Sequence, residues 1–224
     1  MLQISQSSPY SVILFDWDGT LVDSMPLVLA GHNLVREKLG YPLWGMAEVL
    51  KYATKSAREN FPVLYGDRAG EAESLFYTYV NAHRFDILKS YPQTHDALTH
   101  LKSAGFRLGV VSNKKYEYLN IEIDHFGWRS FFESIVGAGE AEQDKPSALP
   151  IKLALSRMGY NQDIKTVLYV GDTITDKDTA HHAGTDWAYV HQGDEKSALI
   201  EHNPPVWRGV SALDLAHWLL QNRA

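Results

Sequence analysis

Continuous apolar runs recur along the chain, and each of them ends where polar residues begin. The four strongest runs occupy residues 12–15, 108–111, 134–139 and 166–170, and a weaker fifth covers 187–190. They are rich in β-branched residues and do not alternate with polar ones. Such runs are typical of strands buried on both faces, as in a parallel sheet. We therefore predict a mostly parallel core sheet.

Between these runs the apolar residues recur with the period of a helix. Residues 94–104 place their apolar side chains on one face, and Thr94 is expected to be the N-cap of this helix. Further helices are predicted at 150–158 and 176–183, each stopping before a glycine. The alternation of strand and helix predicts a doubly wound, Rossmann-like α/β fold.

The stretch of residues 24–91 interrupts this alternation. It contains no convincing strand and has the pattern of several helices, for example at 26–38 and 69–85. A crossover between parallel strands needs only about a dozen residues, so this one is predicted to hold an inserted helical domain. We predict a catalytic core formed by residues 1–23 and 92–224, and a helical cap formed by residues 24–91.

Composition excludes several classes of site and partner. The 224 residues include no cysteine, which excludes disulfides, zinc-thiolate sites and thiol catalysis. A net charge of -6 argues against a nucleic-acid partner, because sequence-independent binding needs a basic surface. No run approaches the roughly 18 apolar residues that span a membrane, and residues 1–10 do not have the pattern of a secretory signal. We expect a cytoplasmic monomer or homodimer without a membrane partner.

The first predicted strand leads directly into two carboxylates, Asp16 and Asp18. Ligands of doubly wound sheets bind beyond the carboxyl ends of the strands, so both residues stand where chemistry is expected. Paired carboxylates suit a hard cation, or a division of labour between a nucleophile and an acid–base group. The alternative is an Asx-type turn that ends the strand, because Asp, Gly and Thr all favour turns.

Three further loops carry candidate residues. Ser112 and Asn113 follow the second strand and suit phosphate oxygens, although a serine there also fits a helix cap. Lys145 precedes the helix at 150–158, and a lone lysine is most often a solvated charge. Asp172 and Asp176 follow the fourth strand, where they complete a metal site or favour the helix dipole.

Four motifs in this order resemble a known family. FDWDGTLVDS, VVSNK, DKP and VGDTITD begin at residues 15, 110, 144 and 170. Together they are similar to the motifs of the haloacid dehalogenase-like hydrolase superfamily, and within it to the phosphoglycolate phosphatase-like branch. The resemblance extends from about residue 11 to about residue 191. It implies a Rossmann-like core with a cap, and phosphatase activity.

The resemblance also implies catalytic roles. Asp16 matches the nucleophile that forms an aspartyl-phosphate, and Asp18 matches the general acid and base. Ser112 and Lys145 match the groups that bind the phosphoryl oxygens and offset their charge. We expect Thr20 and Asn113 to join Ser112 and Lys145 in binding the substrate. A true dehalogenase lacks the second acid, so the presence of Asp18 favours an oxygen leaving group.

For the metal, the resemblance implies one Mg²⁺. Its expected ligands are Asp16, the backbone carbonyl of Asp18, and Asp172, with Asp176 supporting the site. Oxygen ligands with retained waters fit Mg²⁺ better than zinc. The chain departs from its relatives at Trp17, where many of them have Leu or Met, and this departure leaves the exact substrate open.

The predicted function is a magnesium-dependent phosphatase that hydrolyses small phosphorylated metabolites, phosphoglycolate-like or sugar phosphate monoesters. Two alternatives remain: a phosphotransferase such as a sugar phosphomutase, which shares the motifs, and a non-catalytic, metal-dependent regulatory domain. Residues 24–91 are expected to choose the substrate, with side chains such as Lys55 or Arg58 near the leaving group.

Overall fold

The computed structural model describes residues 9–52, 55–196 and 201–222. Most of the segment 1–10, for which no secretory signal is predicted, lies outside these residues. At the centre is a six-stranded sheet in the order β5-β4-β1-β6-β7-β8, and every pair of neighbours is parallel. Its strands are β1 Val12–Phe15, β4 Arg107–Lys115, β5 Phe132–Ala138, β6 Val167–Gly171, β7 Asp186–Val190 and β8 Trp207–Gly209.

Strand β1 occupies the middle of the sheet, and its side chains alternate between two cores. Ile13 and Phe15 belong to a core on one face, whereas Val12 and Leu14 belong to a core on the other. All four side chains are completely buried. Burial on both faces explains why this strand is continuously apolar, and it confirms the predicted parallel sheet.

Helices cover both faces of the sheet. They are α5 Thr94–Ser103, α6 Tyr116–His125, α7 Leu149–Arg157, α8 Ile174–Ala183 and α9 Ala212–Gln221, with short 3₁₀ turns at Arg129–Phe131 and Ile164–Thr166. Leu101 of α5 and Leu215 of α9 join the core of Ile13, while Ile151 of α7 and Ala180 of α8 join the core of Val12. This two-sided packing is the predicted doubly wound arrangement.

Some details differ from the prediction. Thr94 is the first residue of α5 and not its N-cap, because Gln93 takes that position in a left-handed conformation. The Thr94 hydroxyl instead donates to the carbonyl oxygen of Leu21. Strand β8 and helix α9 were not predicted, since β8 has only three residues and its polar Arg208 breaks the apolar pattern.

Four helices form a cap between the two strands of a small ribbon. The helices are α1 Met25–Leu39, α2 Met46–Tyr52, α3 Ala57–Tyr65 and α4 Ala69–Ile87, with a 3₁₀ turn at Gly66–Arg68. The ribbon pairs β2 Val22–Asp23 with β3 Lys89–Ser90 in antiparallel fashion. Strand β3 was not foreseen in this stretch, but the helical cap is confirmed. The domain limits at residues 24 and 91 stay a prediction.

The cap is held against the core by charged and aromatic pairs. Arg58 of α3 forms an ion pair with Asp144, 2.6 Å between Nε and Oδ2. Arg84 of α4 lies 3.4 Å from Glu122 of α6, and nearby the ring of Tyr77 stacks on that of Tyr118. None of the described helices combines the length and the apolar character that crossing a membrane requires.

Candidate active site

The predicted site residues meet at the carboxyl edge of the sheet. The loops that follow β1, β4, β5 and β6 end on the same side because these strands are parallel. Asp16, Asp18, Ser112, Lys145 and Asp172 all line one cavity of about 590 Å³. Residues far apart in the sequence thus share a single space under the cap, and Asn113 lines it as well.

Lys145 lies at the centre of the charged groups. Its Nζ is 2.8 Å from Oδ1 of Asp16 and 2.7 Å from Oδ1 of Asp176. It also donates to the hydroxyl of Tyr169 at 3.0 Å, and that hydroxyl lies 2.9 Å from the carbonyl oxygen of Val111. Burial alone lowers the pKa of Lys145, but the charges of Asp16 and Asp176 outweigh it and hold the pKa well above its usual range. The ammonium therefore stays charged beside the nucleophile candidate.

Asn113 fixes the loop that carries Lys145. Its side-chain amide donates to the carbonyl oxygen of Lys145 at 3.0 Å, and its Oδ1 accepts from the Lys145 N–H at 2.9 Å. These two bonds tie the end of β4 to the loop between β5 and α7. The predicted contact of Asn113 with substrate stays a prediction. Ser112 is not a helix cap, because β4 continues past it to Lys115.

Asp176 is held by the start of helix α8. Its Oδ2 accepts from the backbone N–H groups of Asp172 and Thr173 and from the Thr173 hydroxyl, the last at 2.6 Å. Thr173 and Asp176 together form a capping box at the N-terminus of α8. A Cβ on Gly171 would lie 2.3 Å from that of Asp176, so this close packing requires glycine. Asp176 is completely buried and does not line the cavity.

Thr20 contacts Asp172 and not the cavity. Its hydroxyl is completely buried and donates to Oδ1 of Asp172 at 2.9 Å. The neighbouring Gly19 has a φ of +82°, and a Cβ there would lie 2.3 Å from Oδ2 of Asp172. The β1 loop thus packs directly against the β6 loop. A contact of Thr20 with substrate stays a prediction, and the observed bond orients Asp172.

Three carboxylates lie close together, and two of them, Asp16 and Asp176, pair with Lys145. Asp16, Asp172 and Asp176 each offer an oxygen within 4.8 Å of the others. Burial raises the pKa of Asp16 to about 7, with the charge of Asp176 adding to the effect and Lys145 opposing it. Burial and the negative charges of Asp176 and Asp16 raise the pKa of Asp172 well above its usual range. A divalent cation would offset this excess of negative charge, and an all-oxygen donor set suits Mg²⁺.

Asp18 has a partner that the sequence did not reveal. Lys114 Nζ donates to Asp18 Oδ1 at 2.7 Å and to Glu122 Oε2 at 2.6 Å. The indole N–H of Trp17 donates to the same Glu122 oxygen at 2.7 Å. Lys114 stands within the VVSNK motif, but nothing in its spacing indicated a contact with Asp18. Glu122 lies on a helix face that only the packing of α6 turns inward.

This buried network keeps its lysine charged. Burial lowers the pKa of Lys114, but the charges of Asp18 and Glu122 outweigh it and raise the pKa above its usual value. Burial also raises the pKa of Glu122, although Lys114 opposes the shift. Two lysines therefore stand in the site, one beside Asp16 and one beside Asp18.

The fold and the site define an α/β enzyme with a capped, carboxylate-lined active site. Residues 13–190 match the haloacid dehalogenase-like hydrolase family, and the chain belongs to this family. The resemblance inferred from the four motifs is thereby confirmed, as is the prediction that the chain is an enzyme.

Curated relatives and solved structures agree with this assignment. The chain is 32% identical over 185 residues to a phosphoglycolate phosphatase from Aquifex aeolicus, covering 80% of this chain and 86% of that protein. It is 28% identical over 207 residues to the pyrophosphatase PpaX from Bacillus velezensis, covering 92% and 95%. A structure from Bacteroides fragilis, described as a haloacid dehalogenase-like hydrolase, superposes with a TM-score of 0.83 at 26% identity, covering 92% of this chain and 99% of that one.

Proposed function

We propose that the chain is a magnesium-dependent phosphatase of small phosphorylated metabolites that uses Asp16 as its nucleophile. The observation that carries the proposal is the meeting of Asp16, Asp18, Ser112, Lys145 and Asp172 in one cavity. Phosphoryl transfer needs positioned groups and neutralised charge more than it needs covalent chemistry from the protein. The names of the curated relatives support a phosphate ester or anhydride as the bond that is cleaved.

In the first half of the reaction, a carboxylate oxygen of Asp16 attacks phosphorus and the bond from phosphorus to the leaving oxygen breaks. Asp18 gives its proton to that oxygen, and the alcohol departs. Lys145, 2.8 Å from Asp16, offsets the negative charge of the nucleophile and of the phosphoryl group. The Ser112 hydroxyl donates a hydrogen bond to a phosphoryl oxygen. The product of this half is an aspartyl-phosphate and a free alcohol.

In the second half, water attacks the phosphorus of the aspartyl-phosphate. Asp18, now ionised, takes a proton from this water, and the bond from phosphorus to Asp16 breaks. Inorganic phosphate leaves, and both carboxyl groups return to their starting states. General acid–base catalysis of this kind is worth about 10²–10⁴-fold.

The metal would be held by carboxylate oxygens of Asp16 and Asp172 and by the backbone carbonyl of Asp18. Bound Mg²⁺ supplies charge neutralisation and fixes the orientation of the phosphoryl group. Thr20 orients Asp172 for this purpose through its hydrogen bond of 2.9 Å. Asp176 supports the site from behind, because its two oxygens are occupied by Lys145, Tyr169 and the α8 N-terminus.

The test is phosphate release from a panel of phosphorylated metabolites, with and without Mg²⁺. We expect steady release that needs the metal and that Asp16→Asn abolishes. If added acceptor sugar collects the phosphate in place of water, the chain is a phosphotransferase. If no ester gives steady release, the metal-dependent regulatory domain is the better description.

A further inference from the structure

The cavity extends from the catalytic groups into the cap, where its wall becomes apolar. Side chains of all four cap helices line this part of the cavity. The apolar side chains that form this part include Val28, Val49, Leu50, Phe61, Phe76 and Val80. One cavity thus has a charged end at the sheet and an apolar end in the cap.

Charged groups are few in the cap part of the wall. None of its described residues carries a carboxylate, and only Lys51 and Lys55 carry an ammonium. Arg58, once expected near the leaving group, does not line the cavity because it is paired with Asp144. His32 also lines the wall, where burial, with a smaller contribution from the charge of Arg36, lowers its pKa to about 4. His32 is therefore neutral near pH 7.

The shape and chemistry of the wall decide what kind of alcohol fits. Ligand pockets of about 300–1,000 Å³ hold molecules much larger than a phosphorylated two-carbon acid. A glycolate carboxylate or sugar hydroxyls placed against Phe61, Phe76 and Val80 would lose water without gaining hydrogen bonds, which is costly. An apolar chain or ring placed there gains free energy, because its surface and that of the wall leave water together.

We propose that the substrate is a phosphate monoester whose alcohol has an apolar body, an alkyl chain or an aromatic ring, which occupies the cap part of the cavity. This inference rests on the proposed phosphatase function. The phosphate lies at Asp16 and Lys145, and the apolar body extends between α1 and α4 past Val28 and Phe76. Away from Lys51 and Lys55, the cap then selects the substrate by apolar contact.

The experiment measures kcat/KM for a series of n-alkyl phosphates from ethyl to octyl, with 2-phenylethyl phosphate for the aromatic case. The longer alcohols have nearly equal acidity, so differences within the series report recognition and not leaving-group chemistry. A fully buried methylene is worth about fourfold in affinity. We expect kcat/KM to rise at least about twofold per added methylene until the cavity is full.

Two Val→Phe variants test whether the apolar body of the substrate occupies the cap part of the cavity. Val28→Phe fills the cavity, whereas Val63→Phe adds the same ring on α3, where the side chain is 79% exposed and outside the wall. Val28→Phe should reduce kcat/KM for octyl phosphate at least about tenfold more than for ethyl phosphate, since it occupies the space of several methylenes. Val63→Phe should leave the rise of kcat/KM with alkyl chain length unchanged.

The outcomes separate this inference from the function on which it rests. The inference is overturned if kcat/KM does not change with chain length, or if it is higher for phosphoglycolate or pyrophosphate than for every alkyl and aryl ester. Either result leaves the proposed phosphatase function intact. Equal losses on short and long esters in Val28→Phe also overturn it. If no ester releases phosphate, the proposed function itself fails. Should Val28→Phe not fold, the series with the unmodified enzyme decides by itself.

Discussion

Lys114 donates a hydrogen bond of 2.7 Å to the carboxylate of Asp18. The same ammonium also binds Glu122, which receives the Trp17 indole N–H and lies near Arg84 of the cap. Trp17 and Lys114 thus share one buried acceptor on α6. The Asp18 carboxylate is held in place by a group that does not itself need to touch the substrate, and a cap helix reaches the same acceptor.

Replacing Lys114 tests this positioning role. In Lys114→Met the Asp18 carboxylate loses its partner, so proton transfer to the leaving oxygen should become less efficient. We expect kcat to fall by about 10–10²-fold on esters of poor leaving groups and much less on p-nitrophenyl phosphate, whose leaving group needs little protonation. The measurement is the dependence of kcat on leaving-group pKa for both proteins.

The control for this variant is Lys152→Met on the exposed face of α7, which should leave that dependence unchanged. Lys114→Met also leaves Glu122 with fewer partners, and we expect the free energy of unfolding to drop by about 1–3 kcal/mol. A uniform loss of kcat on all leaving groups would assign Lys114 to stability alone.

Replacing either aspartate of the β1 loop should impair the reaction at a different step. Asp16→Asn replaces the attacking carboxylate with a non-nucleophilic amide and should abolish the phosphoenzyme, which mass spectrometry of acid-quenched samples detects. Asp18→Asn should lose about 10²–10⁴-fold in turnover on poor leaving groups, yet still become phosphorylated by an activated ester. Equal losses in both variants on good and poor leaving groups would contradict the assigned roles.

The metal can be tested without measuring activity. Mg²⁺ that binds only the folded chain should raise Tm as its concentration passes Kd. Asp172→Asn should lose most of this rise, because it removes one of the crowded carboxylates. Without metal the same variant should be at least as stable as the unmodified protein, since the repulsion from Asp16 and Asp176 is relieved.

The matched control for the metal is Asp67→Asn, an exposed acid of the cap that does not line the cavity. Its Tm should respond to Mg²⁺ as the unmodified protein does. If Asp172→Asn keeps the full response, Asp172 is not a ligand. If Mg²⁺ leaves Tm unchanged in every protein, and activity survives exhaustive chelation, the proposed metal dependence is wrong.

His32 should make the stability of the folded protein fall at acidic pH. Burial, with a smaller effect of Arg36, lowers its pKa from 6.5 to about 4 in the folded protein. Between these values the unfolded chain binds the proton more tightly, so the stabilisation is complete above about pH 6.5 and is lost as the pH falls toward 4. The largest loss from this residue is about 3 kcal/mol.

Urea unfolding at pH 7 and pH 4.5 measures this effect. His32→Gln keeps a hydrogen-bonding partner for the Tyr65 hydroxyl, which lies 2.8 Å from His32 Nδ1, but it cannot be protonated. The fall in stability between the two pH values should therefore be smaller in this variant. Replacing the exposed His83 with Gln is the control and should leave the fall unchanged. The same fall in all three proteins would contradict the assignment.

The local sequence pattern was sufficient to predict much of the fold and to select the candidate site residues. The apolar run at 12–15 predicts β1 with the bounds that the structure has, because a strand buried on both faces is nearly continuously apolar. Asp16 and Asp18 could be chosen for the same reason, since two carboxylates directly after such a strand lie at the carboxyl end of the sheet, where ligands of doubly wound folds bind. Helix α1 was recognised to within one residue at each end, with Gly40 as its stop signal.

Long-range packing decided the partners of these residues. Nothing local connects Lys114 to Asp18, Tyr169 to Lys145, or Thr20 to Asp172, because each pair meets only when the strands lie side by side. For the same reason the apolar end of the cavity could not be predicted. Its side chains are ordinary core residues in the sequence, and only the arrangement of four helices around an opening to Asp16 turns them into the wall of a site.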